Sequence, residues 1–181
     1  MNVFVLCTGR CGSTTFIRAC RHATNFSAGH ETRRHRIGPD RFAYPLNHIE
    51  ADNRLSWLLG RLDAAYGDTA SYVHLTRYHE ATALSYLRRY NFGIMRAYHA
   101  GILLGTKEEP LRVCRDYVET VNANIAVFLR DKSRVMTVRL EHGKRDFGRF
   151  WEWVGADGDL ELALAEWDTR HNASPHTGRP R

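Results

Sequence analysis

Val3-Phe4-Val5-Leu6-Cys7 runs straight into Thr8-Gly9-Arg10-Cys11-Gly12-Ser13-Thr14-Thr15 near the start of the chain. An apolar, β-prone run enters a turn with two glycines, and the turn opens a helix-compatible segment. Strand, glycine turn and helix in that order make a phosphate cradle. The free N–H groups of the first helical turn point outward, and the helix dipole adds partial positive charge there. A nucleotide-hydrolysing P-loop needs G-x-x-x-x-G-K-[ST], with a lysine for the terminal phosphates and a hydroxyl for magnesium. Here Gly9 and Gly12 are spaced G-x-x-G, no lysine follows Gly12, and an arginine occupies position 10. The loop suits an anion other than ATP with magnesium.

Outward from this junction, strand and helix patterns alternate. Residues 14–21 read as a helix, with Phe16, Cys20 and Ala23 at i, i+4 and i+7. Residues 26–28 form a short strand, and residues 29–41 a polar loop dense in His and Arg. Leu55, Leu58, Leu59 and Leu62 share one face of an amphipathic helix over 54–66, which Gly67-Asp68 ends. A strand over 71–76 leads into a helix over 80–90, and residues 91–111 are irregular or partly helical. A long helix over 112–129, a strand over 134–140 and helices over 147–154 and 160–167 complete the pattern. Strands separated by helices predict an α/β fold: a single domain over residues 1–171, with a mainly parallel central sheet flanked by helices. Residues 172–181 are expected to be a flexible C-terminal tail. Ligands of such sheets bind outside the carboxyl ends of the strands. The polar clusters 9–15, 29–34 and 77–85 are therefore expected to meet at one crevice.

The bulk composition narrows the function classes. The chain has 181 residues, 43% hydrophobic and 25% charged, enough to bury roughly 70% of its unfolded surface in one core. It contains no apolar run near the roughly 18–20 residues that span a bilayer, and its start lacks the basic and longer apolar regions of a signal peptide. Cys7, Cys11, Cys20 and Cys114 do not form a disulfide framework, and nothing completes Cys7-x-x-x-Cys11 as a metal site. A cytoplasmic protein without a metal is expected. The formal net charge is +6 and arginine dominates it, which favours bidentate contact with phosphate or sulfate.

A second constellation sharpens the first. Arg77 follows the strand His74-Leu75-Thr76, and Ser85 lies eight residues later on the next helix, where both can face one anion. This pair of motifs resembles that of sulfotransferases dependent on 3′-phosphoadenosine 5′-phosphosulfate (PAPS), with their P-loop-like fold. The resemblance implies that Arg10, Cys11, Gly12, Ser13, Thr14 and Thr15 hold the 5′-phosphosulfate, and Arg77 with Ser85 the 3′-phosphate. Gly29-His30-Glu31-Thr32-Arg33 is similar to the G-E-E-T-R segment of tyrosylprotein sulfotransferases, and Glu31 falls 21 residues after Arg10 as that family's base does. Glycosaminoglycan sulfotransferases also place a glutamate base after the first helix. The resemblance implies that Glu31 is the base, that Arg33 supports the phosphates or acceptor, and that Arg54 stands in for a catalytic lysine absent from Glu50-Ala51-Asp52-Asn53-Arg54. It covers roughly residues 2–90, and more faintly 135–141. The family's Arg-Asp-Pro is Arg77-Tyr78-His79 here.

The chemistry suits the residues. Sulfuryl transfer moves a group of spread negative charge, so positioning and electrostatics supply most of the help, and arginines suffice without a metal. Glu31 would take the proton of the acceptor hydroxyl. His30 is the rival base because its ordinary pKa suits neutral pH, whereas a carboxylate amid Arg10, Arg33 and Arg34 is expected to have a depressed pKa. Residues 35–50 and 91–111 are expected to shape the acceptor pocket, with Tyr44, Tyr98 and His99 as contacts. The acceptor is a hydroxyl of a small molecule, glycan or peptide; no nucleic acid is expected. The alternatives are a P-loop kinase, a basic RNA-binding protein and a catalytically silent nucleotide binder.

Overall fold

The structure, a computed structural model, describes residues 1–169 and His171. The tail expected over 172–181 lies outside the described residues. In chain order the elements are β1 (Val3–Leu6), α1 (Ser13–Cys20), β2 (Ser27–His30), β3 (His48–Ala51), α2 (Leu59–Tyr66), β4 (Ser71–Thr76) and α3 (His79–Leu87). They continue with α4 (Gly93–Ala97), α5 (Pro110–Leu129), β5 (Val135–Arg139), α6 (Gly143–Val154) and α7 (Leu160–Ala165). The five strands form one parallel sheet in the order β2-β3-β1-β4-β5. This is the α/β architecture that the sequence predicts.

β1 is central because both of its faces are apolar. Successive side chains of a strand point to opposite faces, and only a strand covered on both sides can bury Val3 and Val5 one way and Phe4 and Leu6 the other. Val3 and Val5 pack with Phe16 and Ile17 of α1 and with Phe147 and Phe150 of α6. Phe4 and Leu6 pack with Leu62 of α2 and with Tyr117, Val121 and Ile125 of α5. Each of these fully buried large side chains contributes about 1.5–3 kcal/mol by leaving water.

Two expectations are corrected. Residues 48–50 do not belong to an acceptor-shaping loop: His48–Ala51 is a buried strand between β2 and β1. Its polar His48 and Glu50 hide the strand from a hydrophobicity reading, because they are buried as a pair, Nε2 to Oε2 at 3.0 Å. The helix expected over 54–66 is divided. Asn53–Trp57 is a 3₁₀ turn, capped by the Asp52 carboxylate, which accepts the Arg54 N–H at 2.8 Å. The α-helical part starts at Leu59. Within 91–111, α4 passes into a π-helical turn, Tyr98–Ile102.

Candidate functional site

The carboxyl ends of all five strands open onto one cavity of about 800 Å³. Gly9, Arg10 and Gly12 reach it after β1, His30 and Glu31 from the end of β2, and Asn53 and Arg54 after β3. Arg77 follows β4, and Leu140 and Glu141 follow β5. The three polar clusters expected to converge do so.

The loop between β1 and α1 is bent by left-handed backbone. Gly9 and Gly12 have φ of 84° and 91°, and Arg10 between them has φ of 59°, a conformation uncommon for a residue with a Cβ. Neither glycine has room for one: a Cβ at Gly9 would lie 2.3 Å from the Tyr86 hydroxyl, and one at Gly12 2.6 Å from Leu140 Cδ1. The Thr8 carbonyl just before the bend accepts the hydroxyls of Tyr86 at 2.5 Å and Tyr117 at 2.8 Å. Beyond Gly12, α1 starts with no side-chain cap and no acidic residue in its first turn. Its ladder opens with Phe16 N–H to the Gly12 carbonyl at 2.9 Å, so the N–H groups ahead of Phe16 have no partner within the helix. Ser13, Thr14 and Thr15 line the cavity there, and the Ser13 hydroxyl lies 3.0 Å from His30 Nε2. Cys11 turns its thiol into the core beside Cys7, so any part it plays in the cradle falls to its backbone.

Arginines crowd the cradle. Arg10 Nε donates to Ser85 Oγ at 3.1 Å, and Arg77 Nη1 donates to the Arg10 carbonyl at 3.1 Å. Burial lowers the Arg10 pKa, and the like charges of Arg89 and Arg77 lower it further. Cations pressed together in a partly desolvated site are relieved by an anion between them. Glycines that admit close backbone approach, an uncapped helix start and clustered guanidiniums fit a phosphate or sulfate group. One wall of the cavity escaped the sequence reading: Arg88, Arg89, Phe92 and Ile94 at the end of α3 and the start of α4. No motif marks them; the one available signal was that Arg88 and Arg89 follow Ser85 by a single helical turn. Lys144 and Trp167, which also line the cavity, were missed for the same reason.

Lining the same cavity, Glu31 also has left-handed backbone, φ 54°. Its Oε2 receives Arg34 Nη1 at 3.1 Å and pairs with Arg54 Nη1 at 2.8 Å. Burial alone would raise the carboxyl pKa, but the charges of Arg54 and Arg34 outweigh it and hold the group below the usual carboxylate range. The depression was expected; its source is corrected, because Arg54 replaces Arg10 and Arg33 as the partner of Glu31. Arg33 instead donates to the Asp40 carbonyl at 2.9 Å and lies over the Tyr44 ring. Tyr44 is buried and accepts Arg41 Nη1 at 3.1 Å, and neither it nor Arg33 lines the cavity. Tyr98 and His99 also lie away from it: Tyr98 donates to Asp116 at 2.5 Å, and His99 Nε2 sits 3.0 Å from the Thr106 carbonyl. Arg54 does line the cavity. Its backbone N–H is held by the Asp52 carboxylate, which is buried in a salt bridge with Arg41 at 2.5 Å.

The backbone that carries this cavity has a structural counterpart. The chain is similar to the sulfotransferase domain from the curacin biosynthetic pathway, with a TM-score of 0.67 over 97% of this chain and 80% of that one, at 13% identity. The chain has the sulfotransferase fold. No protein-family model and no curated protein matches the sequence, so the sulfotransferase likeness is carried by backbone geometry. Among the described residues, no helix of this sulfotransferase fold is long and apolar enough to cross a membrane.

Proposed function

We propose that the protein is a PAPS-dependent sulfotransferase that moves a sulfuryl group to an acceptor hydroxyl and releases adenosine 3′,5′-bisphosphate. The observation that carries this reading is a single cavity with an uncapped helix start ringed by Arg10, Arg77 and Ser85 on one side and an arginine-held carboxylate, Glu31, on the other. The first half suits the phosphosulfate and the 3′-phosphate, and the second suits proton removal from the acceptor.

In this reading Glu31 takes the proton of the acceptor hydroxyl as that oxygen bonds to sulfur and the bond from sulfur to the bridging phosphate oxygen breaks. Arg10 and the N–H groups of Ser13, Thr14 and Thr15 stabilise the charge gathering on the bridging and sulfonyl oxygens. The Ser13 hydroxyl, near His30, is a further donor. Arg54 and Arg34 keep Glu31 ionised, and the two guanidiniums fix its orientation.

The test is calorimetric titration with adenosine 3′,5′-bisphosphate in the absence of magnesium, followed by an acceptor screen with labelled PAPS and mass analysis of the product. Binding of the bisphosphate and sulfated product are expected. Preference for ATP with magnesium would move the reading to a kinase. Affinity that requires long RNA and collapses with salt would move it to a nucleic-acid binder.

A further inference from the structure

Glu31 is held in a strained backbone conformation without a glycine beside it to ease the turn, so something must over-determine it. The residue before it ends β2, and the Glu31 N–H still bonds across to the Ala51 carbonyl of β3 at 3.0 Å. The residue after it, Thr32, is held twice by one side chain. Glu50 on β3 accepts the Thr32 N–H on Oε1 at 2.7 Å and the Thr32 hydroxyl on Oε2 at 2.7 Å. Glu50 is fully buried, and His48 Nε2, 3.0 Å from Oε2, completes its partners.

The neighbourhood is shaped around this grip. Gly29 is the register partner of Glu50 on β2. A Cβ there would fall 2.6 Å from Glu50 Oε2 and 2.4 Å from Thr32 Cγ2. A buried carboxylate is costly unless its oxygens are hydrogen-bonded. Here two of its three bonds go to the residue that follows the candidate base, and none goes to the cavity, whose lining excludes Glu50.

We propose that Glu50 is a positioning residue, which clamps Thr32 and thereby fixes the left-handed turn that presents the Glu31 carboxylate to the cavity. The inference rests on the reading of Glu31 as the base. It goes beyond that reading by assigning a role to a buried residue of an adjacent strand that never touches substrate.

The test compares wild type with Glu50→Gln, Thr32→Val and Thr32→Ser. Thr32→Val removes only the hydroxyl bond at a partly exposed position, so the fold survives even if Glu50→Gln disturbs it. Displacement of a reacting group by an ångström can cost about 100-fold in rate. The expectation is therefore a kcat lowered by about 10- to 100-fold in Thr32→Val and Glu50→Gln, with unchanged affinity for adenosine 3′,5′-bisphosphate and recovery in Thr32→Ser. Amide hydrogen exchange at position 32 is expected to quicken in the two impaired variants. Wild-type turnover together with a Thr32→Val kcat equal to wild type would overturn the role of Glu50. Equal loss of kcat and nucleotide affinity would do the same, because it would mark a general structural effect. Failure of the wild type to bind the bisphosphate or to sulfate any acceptor would instead overturn the functional reading on which the inference stands. In that case unchanged exchange at position 32 would also overturn the clamp.

Discussion

The loop after β1 and the turn after β2 both line one cavity, and each holds a non-glycine residue in left-handed backbone: Arg10 at φ 59° and Glu31 at φ 54°. They reach it by different physics. Arg10 lies between two left-handed glycines, so the bend is local, and the uncapped helix that follows supplies the proposed anion site from contiguous backbone. Glu31 has no such help. Its turn is fastened from outside by Glu50, and its carboxylate by Arg34 and by Arg54, whose backbone N–H is held by the Arg41-paired Asp52. The bend of the first loop is set by its own glycines, whereas the proposed base, held by side chains from several segments, depends on all of them.

Breaking the two sides separately should give distinct signatures. Glu31→Gln removes the proposed proton acceptor and is expected to lower kcat by about 10² to 10⁴, while calorimetry finds adenosine 3′,5′-bisphosphate bound as in wild type. A coupled loss of nucleotide affinity would show that the two sides are not independent. Arg41→Leu strands the Asp52 charge in the interior and is expected to destabilise the protein by about 3–5 kcal/mol in denaturant titration. Nucleotide affinity of the folded fraction should stay the same, because the damage falls on the Glu31 side.

On the other side, Gly12→Ala forces a Cβ into left-handed backbone and against Leu140. It is expected to destabilise by about 1–3 kcal/mol and to weaken nucleotide binding. The double variant with Leu140→Ala should relieve the contact but not the backbone strain, and full recovery of thermal stability would contradict that account.

The smallest effect is a pH shift. Because Glu31 has a lowered folded pKa, its contribution to stability is present above the ordinary glutamate value of about 4.3 and is lost as pH falls through the lowered one. The acid limb of the rate profile should accordingly lie below the ordinary carboxylate range. Arg54→Met removes a charge that favours the carboxylate, so the limb is expected to move upward. An unmoved limb would assign it to a group other than Glu31.

Much of the architecture was legible because it is local. The apolar run of β1, the glycine turn and the 3.6-residue stripe of α5 each declare themselves within a few residues, and the bounds of α5 differ from the expected 112–129 only at its start, Pro110. β3 was not legible, because His48 and Glu50 look solvated until their mutual pairing is known. The contacts assigned to Tyr44, Tyr98 and His99 fared poorly for a related reason. Composition marks an aromatic residue as available, and only packing tells whether it faces a core or a cavity.

By itself, then, the sequence determined the parallel α/β plan and the glycine-bent loop with its uncapped helix start, since strand, turn and helix start are set by adjacent residues and by backbone N–H groups that exist wherever a helix begins uncapped. Tertiary structure alone decided which guanidiniums hold Glu31 and which buried carboxylate holds its turn. Those contacts join residues as far apart as Glu31 and Arg54 through the pairing of β2 with β3, where a slip of one residue would turn Glu50 to the opposite face.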